Sequence, residues 1–384
     1  MYKIYEQYLL TLRNSGRYRK LGQIRQDSNP EFLDFSTNDY LNLSHKGDVI
    51  KAGEIASQIY GVGSTGSRLL SGNLDLYEKF ERTVATDKHT ESSLIFNSGF
   101  QANISTLSCL LDDKVLNAKP IVFFDKLNHS SLYQAVFLSK PQLYRYHHNN
   151  VHHLESLLEK HKNDSRPKFI VTETVFGMDG DIAPLEQIVE LASRYNAFLY
   201  LDEAHATGVF GINGYGLSTT LNLQNIPHII MGTLSKAVGV SGGYIACHNI
   251  MRDFLINKAA GFIYSTAPSP VVIEAAFKAW QLVKSFNKER ESLQELGNIL
   301  RPMLMENGFN IGTSQTHIIP VILKDEKACL SVQKSLFHEK IIVSCIRPPT
   351  VPPGSSRLRI ALTINHRLQD LERLEKVLKK VAKS

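Results

Sequence analysis

Ile229-Ile230-Met231-Gly232-Thr233-Leu234-Ser235-Lys236-Ala237 is the stretch on which the reading of this chain turns. A short apolar run ends in a turn that carries two hydroxyls and a lysine, and Ala237, Val238 and Gly239 follow. Most lysines are solvated. One placed directly behind an apolar strand, among small apolar residues, gives up its proton more readily and becomes a usable nucleophile. The expectation is a strand over Ile229–Gly232 with Lys236 just past its carboxyl end.

Upstream of this stretch, short runs rich in β-branched and aromatic residues alternate with helix-length segments. The candidate strands are Ser93–Phe96, Ile121–Phe124, Phe169–Thr172 and Ala197–Leu201; Gly243–Cys247 is one more, with an antiparallel option. The pattern predicts an α/β fold with a mostly parallel sheet covered by helices on both faces. Such a sheet collects its ligands past the carboxyl ends of its strands. The runs end in Asn97-Ser98-Gly99-Phe100, Asp125-Lys126-Leu127-Asn128-His129, Glu173 through Gly180, Asp202-Glu203-Ala204-His205, and Thr233 with Lys236. Before the sheet, residues 1–30 read as a helical arm, 46–60 and 74–88 as helices, and Gly61–Arg68 as a Gly/Ser loop without the lysine and spacing of a Walker loop. After it, helix Asn287–Glu306, strand Ile318–Ile322, a helix at 326–339, strands Ile341–Cys345 and Arg357–Leu362 and a final helix from 367 predict a smaller α+β domain. The resulting division is an N-terminal arm over 1–45, a large domain over 46–285 and a C-terminal α+β domain over 286–384.

A chain of 384 residues exceeds the size at which one core stops growing, which agrees with more than one domain. Hydrophobic residues at 43% and charged residues at 21% are ordinary for a globular protein. The net charge of +6 is scattered; Arg17-Tyr18-Arg19-Lys20 and Lys379-Lys380 are not the basic stripe that nucleic acid requires, so no nucleic-acid partner is expected. There is no apolar run of membrane-spanning length and no apolar core of a signal peptide, so the expected address is the cytoplasm with no membrane partner. Cys109, Cys247, Cys329 and Cys345 lack metal or redox spacing and read as free thiols. His147-His148 and His152-His153 have no carboxylate or thiol cluster beside them, and no metal is expected.

The strand-end residues supply the four roles a pyridoxal 5'-phosphate (PLP) enzyme needs. Lys236 offers an amine for the aldehyde. Asp202 offers an acid for the ring nitrogen, where it holds the pyridine protonated. His129 offers a flat group over the ring. Ser98, Gly99 and Phe100 open a helix whose free N–H groups and dipole suit a phosphate, with the hydroxyls of Thr233 and Ser235 alongside. His205, three residues past Asp202, is placed for the ring oxygen. Plainer readings stand beside these: Asp202 and His129 as caps of the helices they precede, Ser98 as a simple N-cap, His205 as a structural histidine.

The combination Asp202-Glu203-Ala204-His205-Ala206-Thr207-Gly208 with Gly232-Thr233-Leu234-Ser235-Lys236 resembles the α-oxoamine synthases, fold-type-I PLP-dependent transferases that condense an amino acid with an acyl thioester and release carbon dioxide. The match extends to Phe35–Leu41, Gly63–Gly72, Asn97–Phe100, Asn128–Ser131 and Met178–Asp181, and so covers nearly the whole chain. Arg347-Pro348-Pro349-Thr350-Val351-Pro352, followed by Arg357-Leu358-Arg359, is most similar to the members that join L-alanine to a pimeloyl thioester, carried on coenzyme A or on an acyl carrier protein. The resemblance implies Lys236, His129, Asp202 and His205 as the catalytic set, Arg359 as the clamp on a substrate carboxylate, Arg19 near the acyl-thioester entrance, and Thr350 and His129 lining the substrate site. It also implies a homodimer with active sites at the interface, in which Ser265 and Thr266 reach the phosphate of the second copy. In one place the chain departs from the family: Gly177 stands where a cofactor-contacting serine is usual, which removes one hydrogen bond.

Overall fold

The β-branched runs pair as their composition predicts in the computed structural model, which describes residues 1–21 and 32–382. Residues 22–30 of the expected arm lie outside the described residues. Seven strands form one sheet: β1 (Ser92–Phe96), β2 (Ile121–Asp125), β3 (Gln142–Tyr146), β4 (Lys168–Glu173), β5 (Ala197–Asp202), β6 (His228–Thr233) and β7 (Gly243–Cys247). Their order across the sheet is β1-β7-β6-β5-β4-β2-β3. The pairs from β6 to β3 are parallel, and β7 runs antiparallel to both β6 and β1. The mostly parallel sheet is therefore borne out, and the antiparallel option at Gly243–Cys247 is the one taken.

The pattern missed β3. Its residues, Gln142-Leu143-Tyr144-Arg145-Tyr146, are mostly half-buried, because it is an edge strand with one neighbour, β2. An edge strand carries less apolar surface than a central one, so the continuous hydrophobic run that marks a buried parallel strand is absent. The central strands have that run: every residue of β2 and all but the first of β4 are buried. Phe96, Val122, Phe124, Val171, Ile229 and Ile245 belong to one apolar cluster with Ala102 and Leu107 from the helix that follows β1.

The chain divides into two compact units. The larger holds Asn38–Phe176 and Ile182–Arg290; the smaller holds Met1–Thr37, Gly177–Asp181 and Glu291–Ser384. In the smaller unit an antiparallel sheet runs in the order Ser344–Ile346, Ser356–Ala361, Ile318–Lys324. The strand expected over Ile341–Cys345 is broken: Ile341 and Ile342 pair in parallel with Leu33 and Asp34, and past Val343 the chain joins the other sheet. The segment Gly177–Asp181 is tied into this unit by the carbonyl of Gly180, which accepts from the backbone N–H groups of Gln315 and Thr316 and from the Thr316 hydroxyl. Gly180 has φ +70°, and a Cβ there would stand 1.8 Å from the Ile318 carbonyl oxygen, so only glycine fits. Among the described residues no helix is long and apolar enough to cross a membrane, and no group of three or more His, Cys, Asp or Glu side chains could hold a metal ion.

Candidate active site

Sheet register brings the strand-end residues of the larger unit together. Phe96 of β1 and Thr233 of β6 both pair with Gly243 of β7, so the turns after β1 and β6 leave the sheet at the same level. After β1, Ser98 caps the helix α1 (Gly99–Leu110): its side chain accepts the Gln101 N–H at 3.1 Å. The cap stabilises the helix start by about 1 kcal/mol and leaves first-turn N–H groups pointing outward. A Cβ on Gly99 would meet Thr233 at 3.2 Å, and the Thr233 hydroxyl lies 2.8 Å from that of Ser235. A helix N-terminus with two hydroxyls beside it is a cradle for a phosphate. Phe100 lies in the same turn with its side chain exposed.

Lys236 is partly buried, three residues past β6. Its Nζ lies 2.9 Å from Nε2 of His205, and the other ring nitrogen of His205 lies 2.8 Å from the Tyr40 hydroxyl. Tyr40 in turn donates to Oδ1 of Asn38 at 3.0 Å. A hydroxyl that donates to Asn38 accepts from His205 Nδ1–H, which leaves Nε2 as the acceptor of a Lys236 N–H. Four residues thus form one directed line ending at the lysine. His205 is buried and part of this line; Tyr40 enters the sequence reading only within the Phe35–Leu41 match, with no role attached to it.

Asp202 ends β5, buried to 2% exposure. One carboxylate oxygen accepts the Ala204 N–H at 2.9 Å and the other accepts Nδ2 of Asn103 at 2.7 Å. No helix starts behind Asp202, so the first contact closes a turn and is not the helix cap read as its plainer role; the second is not local and comes from α1. His129 caps helix α2 (Ser130–Ser139), its Nδ1 accepting the Ser131 N–H at 3.3 Å and meeting the Ser131 hydroxyl at 2.8 Å. His129 is exposed, yet desolvation by the protein around it holds its pKa below the usual histidine value, opposed by the charge of Asp202 and reinforced by that of Lys236. The capping reading and the ring-face reading of His129 are compatible, since the cap uses only one edge of the imidazole. Glu173, paired in register with Asp202, is buried; desolvation first, and then the Asp202 charge, pushes its carboxyl well above the ordinary range.

The remaining expected residues lie apart from this cluster in sequence. Thr266 is exposed, and the carbonyl of Thr266 and the hydroxyl of Ser265 accept from Nδ2 of Asn97. Three belong to the smaller unit. Arg359 is buried on its central strand, and its Nε donates to the Gly177 carbonyl at 2.5 Å. Arg19 and Thr350 are both exposed and bonded to each other, Nη2 to Oγ1 at 2.8 Å. Besides Tyr40, the residues to which the sequence reading attaches no role are Asn103 and Tyr200, which look like ordinary helix and strand residues until the sheet closes over them; Glu173 stands among the strand-end residues there, but with no role of its own.

The donor set fits a PLP-type cofactor: a primary amine, a carboxylate with two N–H partners, an exposed flat imidazole, and a helix N-terminus flanked by hydroxyls. Comparison with known proteins agrees. The family model "Aminotransferase class I and II" matches residues 30–378. A protein of Paramagnetospirillum magneticum named "Putative 8-amino-7-oxononanoate synthase" is 46% identical over 344 residues, which covers 90% of this chain and 87% of that one. A protein of the same name from Magnetococcus marinus is 39% identical over 364 residues, with 93% and 91% covered. Among solved structures, serine palmitoyltransferase of Sphingomonas wittichii superposes with a TM-score of 0.87 at 26% identity, covering 99% of this chain and 96% of that one. The 8-amino-7-oxononanoate synthase of Francisella tularensis superposes with a TM-score of 0.79 at 28% identity, covering 92% and 99%.

Proposed function

From the premise that the chain belongs to the class I and II aminotransferase family, and is a PLP-dependent acyltransferase of fold type I, we propose that it condenses L-alanine with a pimeloyl thioester. The products are 8-amino-7-oxononanoate, carbon dioxide and the free thiol, and the setting is biotin biosynthesis. The observation that carries the reading is the name shared by relatives that are 39–46% identical over most of the chain. The loop Arg347–Pro352, similar to that of the alanine-using members, supports the same substrate pair.

When bound, the cofactor supplies an aldehyde for an amino group and a protonated ring that draws electrons from the amino acid's reacting carbon. Lys236 is the amine that anchors it and the base that takes a proton from the amino acid's Cα and returns it at the end. The line His205–Tyr40–Asn38 aims the lysine Nζ and receives one of its N–H bonds. Asp202 holds the ring nitrogen, and His129 covers the ring and takes part in proton movement. Ser98, Gly99, Phe100, Thr233 and Ser235 hold the phosphate. Arg359 clamps the substrate carboxylate as a guanidinium fork does, while Arg19 and Thr350 attend the acyl thioester. Gly177 offers the cofactor no side-chain hydroxyl; its main-chain carbonyl accepts from Arg359.

A homodimer belongs to this reading, with Ser265 and Thr266 serving the phosphate of the second copy. Exposed Ile50, Ile55, Ile59, Val62, Leu70 and Tyr264 of the larger unit support it, since large apolar side chains are costly to leave in water. A cytoplasmic setting is part of the same reading. The test is turnover of alanine with pimeloyl-CoA and with pimeloyl acyl carrier protein, following carbon dioxide and free thiol together. Equimolar release with alanine supports the proposal. Free thiol released only with glycine and acetyl-CoA, without carbon dioxide because the four-carbon product keeps the glycine carboxylate, is the reaction of 2-amino-3-oxobutyrate CoA ligase and would replace it. Lys236→Ala is expected to abolish both turnover and the visible band of the bound cofactor.

A further inference from the structure

Asn103 lies one turn into α1, on the same face as Gly99, and is 1% exposed. An amide buried in this way must satisfy its donors and its acceptor. Its Nδ2 donates to Asp202 Oδ2 at 2.7 Å and to Ser131 Oγ at 2.9 Å, and its Oδ1 accepts from the hydroxyl of Tyr200 at 2.9 Å. Both hydrogens are used. The amide cannot be turned over, because that would set its oxygen against a carboxylate oxygen.

The direction of the remaining bonds follows. The Ser131 hydroxyl receives from Asn103, so its own hydrogen is available to His129 Nδ1, 2.8 Å away. The Ser131 backbone N–H points at the same nitrogen. A ring nitrogen with two donors aimed at it is an acceptor, so the proton of the neutral imidazole sits on Nε2. Tyr200, fully buried, closes the line from behind. One side chain therefore touches the carboxylate directly and the imidazole through a single hydroxyl.

We propose that Asn103 is a positioning residue whose amide fixes the Asp202 carboxylate and, through Ser131, the Nε2–H tautomer of His129, so that both groups meet the cofactor ring in one set geometry. The inference rests on the reading of Asp202 and His129 given above. Asparagine suits the position because aspartate would offer no donor to Asp202, serine is too short to reach two partners, and leucine, of similar size, has no polar atom at all.

The test uses the full-length, PLP-loaded enzyme and the variants Asn103→Leu, Tyr200→Phe and Ser131→Ala. Three quantities are read: the affinity for PLP, the pH midpoint of the bound cofactor's visible absorption, and the split between kcat and KM for the amino acid. Asn103→Leu removes a hydrogen bond to a charged group. It is expected to weaken PLP binding about tenfold or more, move the pH midpoint, and lower kcat with KM changed less than about threefold. Tyr200→Phe moves the same readouts in the same direction by less. Ser131→Ala moves the pH midpoint and leaves PLP affinity within about threefold, because it breaks only the His129 branch. A purely structural role would lower the melting temperature of Asn103→Leu and leave affinity and pH midpoint at the parent values, which overturns the inference. If Asn103→Leu does not fold, parent values in both other variants overturn it equally. Asp202→Asn separates the two levels: an unchanged absorption there sinks the cofactor reading itself, whereas a changed absorption there with unchanged Asn103→Leu sinks this inference alone.

Discussion

Tyr40 stands between Asn38 and His205 in the line that reaches Lys236, and its hydroxyl can be removed without replacing the lysine or its histidine. Loss of one neutral buried hydrogen bond is worth about 1 kcal/mol. Tyr40→Phe should keep the fold and the bound cofactor and lower kcat about fivefold, within the factor that this energy allows; an unchanged kcat would mean that His205 is aimed by packing alone. A second buried arrangement sits directly behind Asp202. Lys88 pairs with Glu203, and both side chains are fully buried; Lys88 also donates to the Tyr215 carbonyl and to the Ser218 hydroxyl. Desolvation holds the Lys88 pKa below the usual lysine value, against the opposing pull of Glu203. Lys88→Met leaves a buried carboxylate unpaired and should cost about 3–5 kcal/mol in urea unfolding, with Lys88→Met/Glu203→Gln recovering most of the loss. If the double variant is no better than the single one, the ion pair is not what makes the single change costly.

At the scale of elements, the decisive junction is the meeting of β7 with the start of α1. A Cβ on Gly243 would stand 2.7 Å from the Gly99 nitrogen and 2.8 Å from its Cα, and backbone atoms cannot step aside as a flexible side chain can. Gly243→Ala should push the helix N-terminus away from Thr233. The expected result is PLP affinity reduced by a factor of ten or more, about 1.4 kcal/mol, with far-ultraviolet circular dichroism unchanged. Unchanged affinity would show that the helix start does not hold the phosphate. The elements themselves were largely legible. β2, β4, β5 and β6 declare themselves by continuous apolar runs, because a parallel strand is covered on both faces. β3 does not, because an edge strand is covered less, and the break at Val343 does not, because a strand that changes sheets keeps its β-rich composition throughout.

Over the whole molecule, histidines whose pKa is lowered by burial are expected to weaken the fold as the pH falls. His317 is fully buried, and desolvation, followed by the charge of Arg359, lowers its pKa to about 3; burial also lowers those of His228 and His366. A histidine whose folded pKa lies below its unfolded value binds fewer protons when folded. Its stabilising contribution is therefore complete above the unfolded pKa of about 6.5 and is lost as pH falls from there toward the folded value, by up to about 1.4 kcal/mol per pH unit for each such group. Urea midpoints should fall steadily from pH 7 to pH 4.5, and His317→Gln should make that fall shallower; equal slopes in parent and variant would exclude His317 as a contributor.

The strand periods, the lysine behind an apolar run and the polar residues at successive strand ends determined the α/β class and most of the candidate cofactor residues. These signals are local: each needs only the spacing of neighbours along the chain. The tertiary structure alone decided which groups hold those residues in place. Asn103 reaches Asp202 from 99 positions away and Tyr40 reaches His205 from 165. A hydrogen bond between side chains that distant leaves no periodicity in the sequence, because its partners become neighbours only when the sheet register and the helix packing bring them within 3 Å.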